Sequence, residues 1–129
     1  MSISFNHTIV ASRDKQQSAE FLADLFGLPS PKPLGHFMVL SLDHGASLDY
    51  ADAPEGEEIR RQHYAFLVSE PEFDAIYDKI KSRGMQHWAD PRQERPGEIN
   101  QRDGGRGVYF LDPSGHAMEI LTRPYGSGG

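Results

Sequence analysis

The same succession of signals occurs twice along these 129 residues, and that doubling restricts the fold more than any single motif does. A strand-patterned segment with a histidine leads, a serine-started amphipathic helix follows, and strand-patterned segments close each half on one carboxylate. Residues 3–11 alternate apolar and polar around His7, and His63–Val68 is a second such strand that begins with its histidine. Ser12–Phe26 sets Ala19, Leu22, Ala23 and Phe26 at helical spacing, and Ser69–Arg83 does the same with Phe73, Ile76, Tyr77 and Ile80. Ser12 and Ser69 are the expected N-caps and Gly27 and Gly84 the stops, at the same interval in both halves. The closing strands correspond too: Gly45 precedes Asp49 by the interval that separates Gly115 from Glu119. The reading is a doubled βαβββ unit of class α+β. Neither half is large enough to bury a core alone, so the halves are expected to pair, within a chain or between chains.

The second half ends on the most informative stretch. Gly107–Leu111, the Asp112-Pro113-Ser114-Gly115 break and Ala117–Leu121 read as a β-hairpin. Side chains alternate along its last strand, so Glu119 shares a face with Ala117 and Leu121. A carboxylate in such company is expensive unless it is paired or bound to a metal. The repeat supplies companions, because His7 and His63 occupy equivalent first-strand positions and Asp49 and Glu119 equivalent last-strand positions. Two imidazoles with one or two carboxylates suit one divalent ion, Fe(II), Mn, Ni, Co or Zn, with positions left for a substrate that chelates through two oxygens. The plain alternative for any lone histidine is a packed or edge residue. His36, His44, His87 and His116 lack the repeat's support, and His44 and His116, in or beside turns, are expected to be solvent-exposed.

The connections complete the map. Leu28–Pro33 reads as loop by its prolines, Phe37–Leu42 and Ala46–Ala51 as strands, and Asp52–Gln62 as a charged linker. Residues 91–107 lack periodicity and carry Arg92, Arg95, Arg102 and Arg106, so a lid is expected whose Arg102 and Arg106 meet an anionic or oxygen-rich substrate. A solvated charged loop is the alternative. Tyr50, Tyr64, Phe66, Trp88, Tyr109 and Tyr125 offer an aromatic wall, of which Trp88, Tyr109 and Tyr50 are the candidate substrate contacts. The expected layout is one domain over 1–129: a module at 1–51, the linker 52–62, a module at 63–123 and a flexible tail at 124–129. A net charge of −6 with interspersed Lys and Arg argues against nucleic acid or an anionic membrane as partner. No apolar run reaches spanning length and there is no cysteine, so a cytoplasmic protein without disulfides or thiolate metal sites is expected.

From Tyr109 to Glu119 the chain resembles the last-strand motif of the vicinal oxygen chelate superfamily, which includes glyoxalase I, extradiol dioxygenases, fosfomycin-resistance enzymes and bleomycin-binding proteins. The resemblance covers essentially the whole length. It implies paired βαβββ modules forming a cup around one divalent ion held by His7, His63 and Glu119, a small-molecule substrate and a homodimer. Asp49 falls where glyoxalase I has a fourth ligand, and either ligation or general-base service is implied for it; Glu119 and Asp49 are thus the catalytic candidates. Arg102 stands where the extradiol pattern has a histidine, and Ile9 where fosfomycin-resistance enzymes have a threonine. The expected function is metal-dependent chemistry on a chelating oxygen substrate, either glyoxalase-like lyase or isomerase chemistry or dioxygenase-like chemistry. The alternatives are a drug-sequestering protein of the bleomycin-resistance type, which usually lacks the metal ligands, and a degenerate interaction module without metal or ligand.

Overall fold

The computed structural model describes residues 2–128; Met1, at the start of the first expected module, and Gly129, at the end of the expected tail, lie outside the described residues. The chain divides between Arg60 and Arg61 into two compact units. The first contains β1 (His7–Ser12), α1 (Lys15–Phe26), β2 (Lys32–Leu34), β3 (Phe37–Ser41) and β4 (Ser47–Asp52). The second contains β5 (His63–Leu67), α2 (Glu70–Ser82), β6 (His87–Trp88), β7 (Gly107–Leu111) and β8 (Ala117–Leu121). Each unit is α+β with one four-stranded mixed sheet, ordered β1-β4-β3-β2 in the first and β5-β8-β7-β6 in the second.

The repeat extends to register. β1 pairs parallel with β4 so that His7 lies opposite Ser47 and Ile9 opposite Asp49; β5 pairs parallel with β8 so that His63 lies opposite Ala117 and Ala65 opposite Glu119. In each unit the acid stands two residues beyond the partner of the histidine, on the same face of the sheet.

The opposite faces make the cores. Val10, Leu40, Leu48 and Tyr50 are buried, as are Ala19, Leu22, Ala23 and Leu25 of α1. In the second unit Val108, Phe110, Met118 and Ile120 are buried, as are Phe73, Ile76 and Ile80 of α2. Burying each larger side chain is worth about 1.5–3 kcal/mol, which outweighs the helical propensity of either segment. The N-terminus of α2 is closed by a capping box, in which Ser69 Oγ accepts from the Glu72 amide and the Glu72 carboxylate accepts from the Ser69 amide.

Several boundaries differ from expectation. Ser12 is not the cap of α1: it continues β1 opposite Asp52, is fully buried and donates to the Ala51 carbonyl at 2.9 Å. The cap is Asp14, whose carboxylate accepts from the Gln17 amide at 3.0 Å. Residues 3–6 precede β1, and the proline-rich loop yields the edge strand β2, where Pro33 is tolerated because one side lacks a ladder partner. Residues 91–107 are folded by local bonds rather than free. The Asp90 carboxylate accepts from the Glu94 and Arg95 amides, Trp88 bridges to Pro96 and Asn100 to Gly107. The expected flexible tail is likewise tied down, as described below. No helix among the described residues is long and apolar enough to cross a membrane.

Candidate metal centre

The open face of the second unit's sheet brings Ala65, Glu119, Tyr109 and Trp88 into one row across four strands, because each is the register partner of the next. Glu119 is 1% exposed. A charge so deeply placed requires hydrogen-bond partners at both oxygens. Oε1 meets His63 Nε2 at 3.0 Å, and the Tyr125 hydroxyl donates to Oε2. The His63 side chain is 48% exposed, so the pair is sealed on the carboxylate side and open on the imidazole side. The Tyr109 ring stacks against the His63 ring at 5.9 Å between centroids.

Behind the carboxylate runs a chain of donors. Tyr125 spends its proton on Glu119, so Tyr109 donates to Tyr125 across 2.9 Å, and Arg102 Nη1 donates to Tyr109 at 3.0 Å and to Tyr125 at 3.4 Å. Burial, then the bonds to Glu119 and Tyr109, push the Tyr125 hydroxyl well above the usual phenol range.

In the first unit, His7, Asp49 and Val39 share the open face with the exposed Ile9. An open hollow there is lined by Asn6, His7, His36, Val39, Ser47 and Asp49 among others. His7 Nδ1 lies 2.7 Å from Asn6 Oδ1, which only accepts, so Nδ1–H donates and Asn6 orients the ring. Asp49 Oδ1 accepts from Ser47 Oγ at 2.7 Å.

These donors fit a divalent ion chemically. An imidazole nitrogen and a buried carboxylate oxygen 3.0 Å apart have the separation of two donors bound to one ion, each about 2.1 Å from it at roughly a right angle. Among the described residues no three of His, Cys, Asp or Glu gather at one point; His63 and Glu119 are the histidine–acid pair that meets in the second unit.

Other expected site residues lie elsewhere. Tyr50 is fully buried on the core face of β4, one residue out of phase with Asp49, and so is not a substrate contact. Arg106 is not a substrate clamp either. It pairs with Glu70 and Asp74 at 2.8 Å each and covers the Phe73 ring, bonds that raise its pKa, that to Asp74 foremost. Tyr109 and Trp88 share Glu119's row but are 5% and 8% exposed, so they back the site rather than offer an open surface. His116 is buried, not solvent-exposed, with Nδ1 accepting from the Gln62 amide, whereas His44 is exposed. His87 is held by Met85 and Tyr77 as a packing residue. Tyr125 is the site residue least visible in sequence: Pro-Tyr-Gly-Ser-Gly-Gly reads locally as a tail, and only its placement beside Glu119 gives it meaning.

Two βαβββ units of equal register, each presenting a histidine and an acid on its open face, define the class. The chain belongs to the Glyoxalase/Bleomycin resistance protein/Dioxygenase superfamily, whose family model matches residues 4–120. Among solved structures it is similar to oxidase ChaP-H2, with 56% identity and a TM-score of 0.95 over 100% of both chains. Among curated proteins it is similar to glutathione transferase FosA of Serratia marcescens, 30% identical over 91% of this chain and 79% of that protein. It is also 31% identical to metallothiol transferase FosB of Lysinibacillus sphaericus (strain C3-41), over 92% of this chain and 82% of that one.

Proposed function

We propose that the chain is a metal-dependent oxidase that acts on a small substrate chelating a divalent ion through two oxygens. The observation that carries this reading is the convergence of His63 Nε2 and the buried Glu119 carboxylate at 3.0 Å. The 56% identity with an oxidase over the full chain favours oxidation within the superfamily's range of reactions. His63 and Glu119 are the proposed ligands in the second unit, and His7, the repeat-equivalent histidine of the first unit, whose ring Asn6 orients, is proposed as a metal ligand too. When bound, the ion polarises a chelated substrate oxygen and, if redox-active, couples substrate oxidation to dioxygen.

The chain's own residues then have distinct tasks. Glu119 supplies a carboxyl group held at both oxygens, by His63 and by Tyr125. Tyr109 holds the imidazole plane from behind, and Arg102 keeps positive charge at the far end of the tyrosine pair. Asp49, half-buried and aimed by Ser47, is the proposed general base or fourth ligand. A homodimer belongs to the proposal and is checked by sedimentation.

The test joins metal content to oxygen uptake. Protein purified without chelator should carry about one ion per chain. An oxygen electrode should then record uptake with ortho-dihydroxy or hydroxy-carbonyl aromatics, and His63→Ala should lose both ion and uptake. Full metal occupancy in His63→Ala overturns the reading. The 30% identity with FosA supports a second reading, thiol transfer, which predicts consumption of glutathione without oxygen uptake. Ile9, 56% exposed where fosfomycin-resistance enzymes have a threonine, weighs against it.

A further inference from the structure

The segment after β8 does not trail into solvent. Arg123 Nη2 donates to the Ser127 carbonyl at 2.9 Å and the Ser127 amide donates to the Pro124 carbonyl at 3.1 Å, so the arm is a closed turn. Asp103 seats that turn: Oδ2 accepts from the Gly126 amide at 3.1 Å and Oδ1 from the Gly128 amide at 3.3 Å. Asp103 adopts φ 56°, a left-handed backbone that a non-glycine residue takes at some cost, within the tight turn Arg102–Gly104. One short turn therefore holds the arm twice, by the Asp103 carboxylate on its backbone and by Arg102 on the Tyr125 hydroxyl.

Tyr125 is 56% exposed. Apolar burial does not account for its position; the hydroxyl is the engaged part, and it reaches the one oxygen of Glu119 that does not face His63. A carboxylate partnered at only one oxygen retains freedom to rotate about its last torsion and leaves a buried acceptor unsatisfied. The donor chain from Arg102 through Tyr109 and Tyr125 to Glu119 runs in one direction, so each bond polarises the next.

We propose that Tyr125 is a positioning residue for Glu119, fixing Oε2 so that Oε1 stays aimed beside His63 Nε2, and that Asp103 is the latch that holds Tyr125 in place. The inference rests on the metal-centre reading above and goes beyond it, because it makes the C-terminal arm part of the centre. Outer-sphere partners of metal-binding carboxylates are worth about 10–100-fold in metal affinity.

Co(II) is the probe, with affinity read by chelator competition and geometry by the visible spectrum of the bound ion. Tyr125→Phe should weaken Co(II) binding by roughly 10–100-fold and alter the spectrum of the bound ion. Asp103→Ala, which leaves Tyr125 intact but unlatched, should move affinity in the same direction by a smaller factor. Unchanged affinity and spectrum in Tyr125→Phe, alongside lost binding in His63→Ala, would overturn the arm's role and leave the metal centre standing. Wild-type protein that binds no Co(II) would sink both.

Discussion

At the scale of single residues, Glu119 has conflicting demands placed on it. A buried carboxylate loses several kcal/mol of solvation, and against that loss stand its bonds to His63 and Tyr125. Glu119→Gln keeps the shape and removes the charge. Chemical denaturation of the metal-free protein should therefore show the variant as stable as the wild type or more so, by about 0–2 kcal/mol, while metal binding is lost. A marked loss of metal-free stability would mean that the charge serves the fold. Asp90 gives the opposite case. Burial works against its ionisation, but the amides of Glu94, Arg95 and Arg92 outweigh it and hold the carboxyl below its usual 3.8. A carboxyl lowered in the folded state adds stability above the unfolded value, and that stability disappears as pH falls through the folded one. Asp90→Ala should thus lower the melting temperature at pH 7, and the gap should close as the pH drops below 3.8 toward 2. Glu119 was legible in the sequence because a charge breaks an apolar alternation. Tyr125 was not, since its role depends on a hydroxyl meeting a carboxylate that local pattern does not place beside it.

At the scale of elements, periodicity located both helices and every strand long enough to alternate, and tertiary pairing decided the rest. β2 and β6 are three and two residues long, too short to carry a pattern, and exist because β3 and β7 offer edges to pair with. The helix starts show the same division. The serine cap of α2 was readable, since Ser69 is followed by a glutamate at the third helical position and nothing competes for it. At α1 the parallel ladder claims Ser12 for β1, and the cap shifts to Asp14. Ser69→Ala and Asp14→Ala should each cost about 1 kcal/mol in urea unfolding, because each exposes helix-start amides that lose their acceptor. Ser69→Ala should exceed Ser69→Gly, since glycine favours the extended cap conformation and alanine does not. Equal midpoints for Asp14→Ala and the wild type would show that α1 is held by packing alone. The order of residues 91–107 was not legible for a related reason: it comes from Asp90, Asn100 and two isolated bridges rather than from any repeat of apolar residues.

At the scale of the whole molecule, repetition is what made the fold readable, and the registers of the two sheets bear it out. Tyr50 was offered as a site residue for its aromatic ring, although strand alternation turns it to the face opposite its neighbour Asp49. A metal that binds the folded chain and not the unfolded one stabilises it by RT ln(1 + [M]/Kd), about 2.7 kcal/mol at 100 times Kd. For a chain of this length that corresponds to a rise of roughly 10 °C in melting temperature. The dependence on concentration separates the residues assigned here. Wild-type protein should gain stability as Co(II) rises and lose it on adding EDTA, and His63→Ala should show no shift at any concentration. Tyr125→Phe should show any given shift only at roughly 10–100-fold higher Co(II). A full thermal shift in His63→Ala would place the ion away from the His63–Glu119 pair.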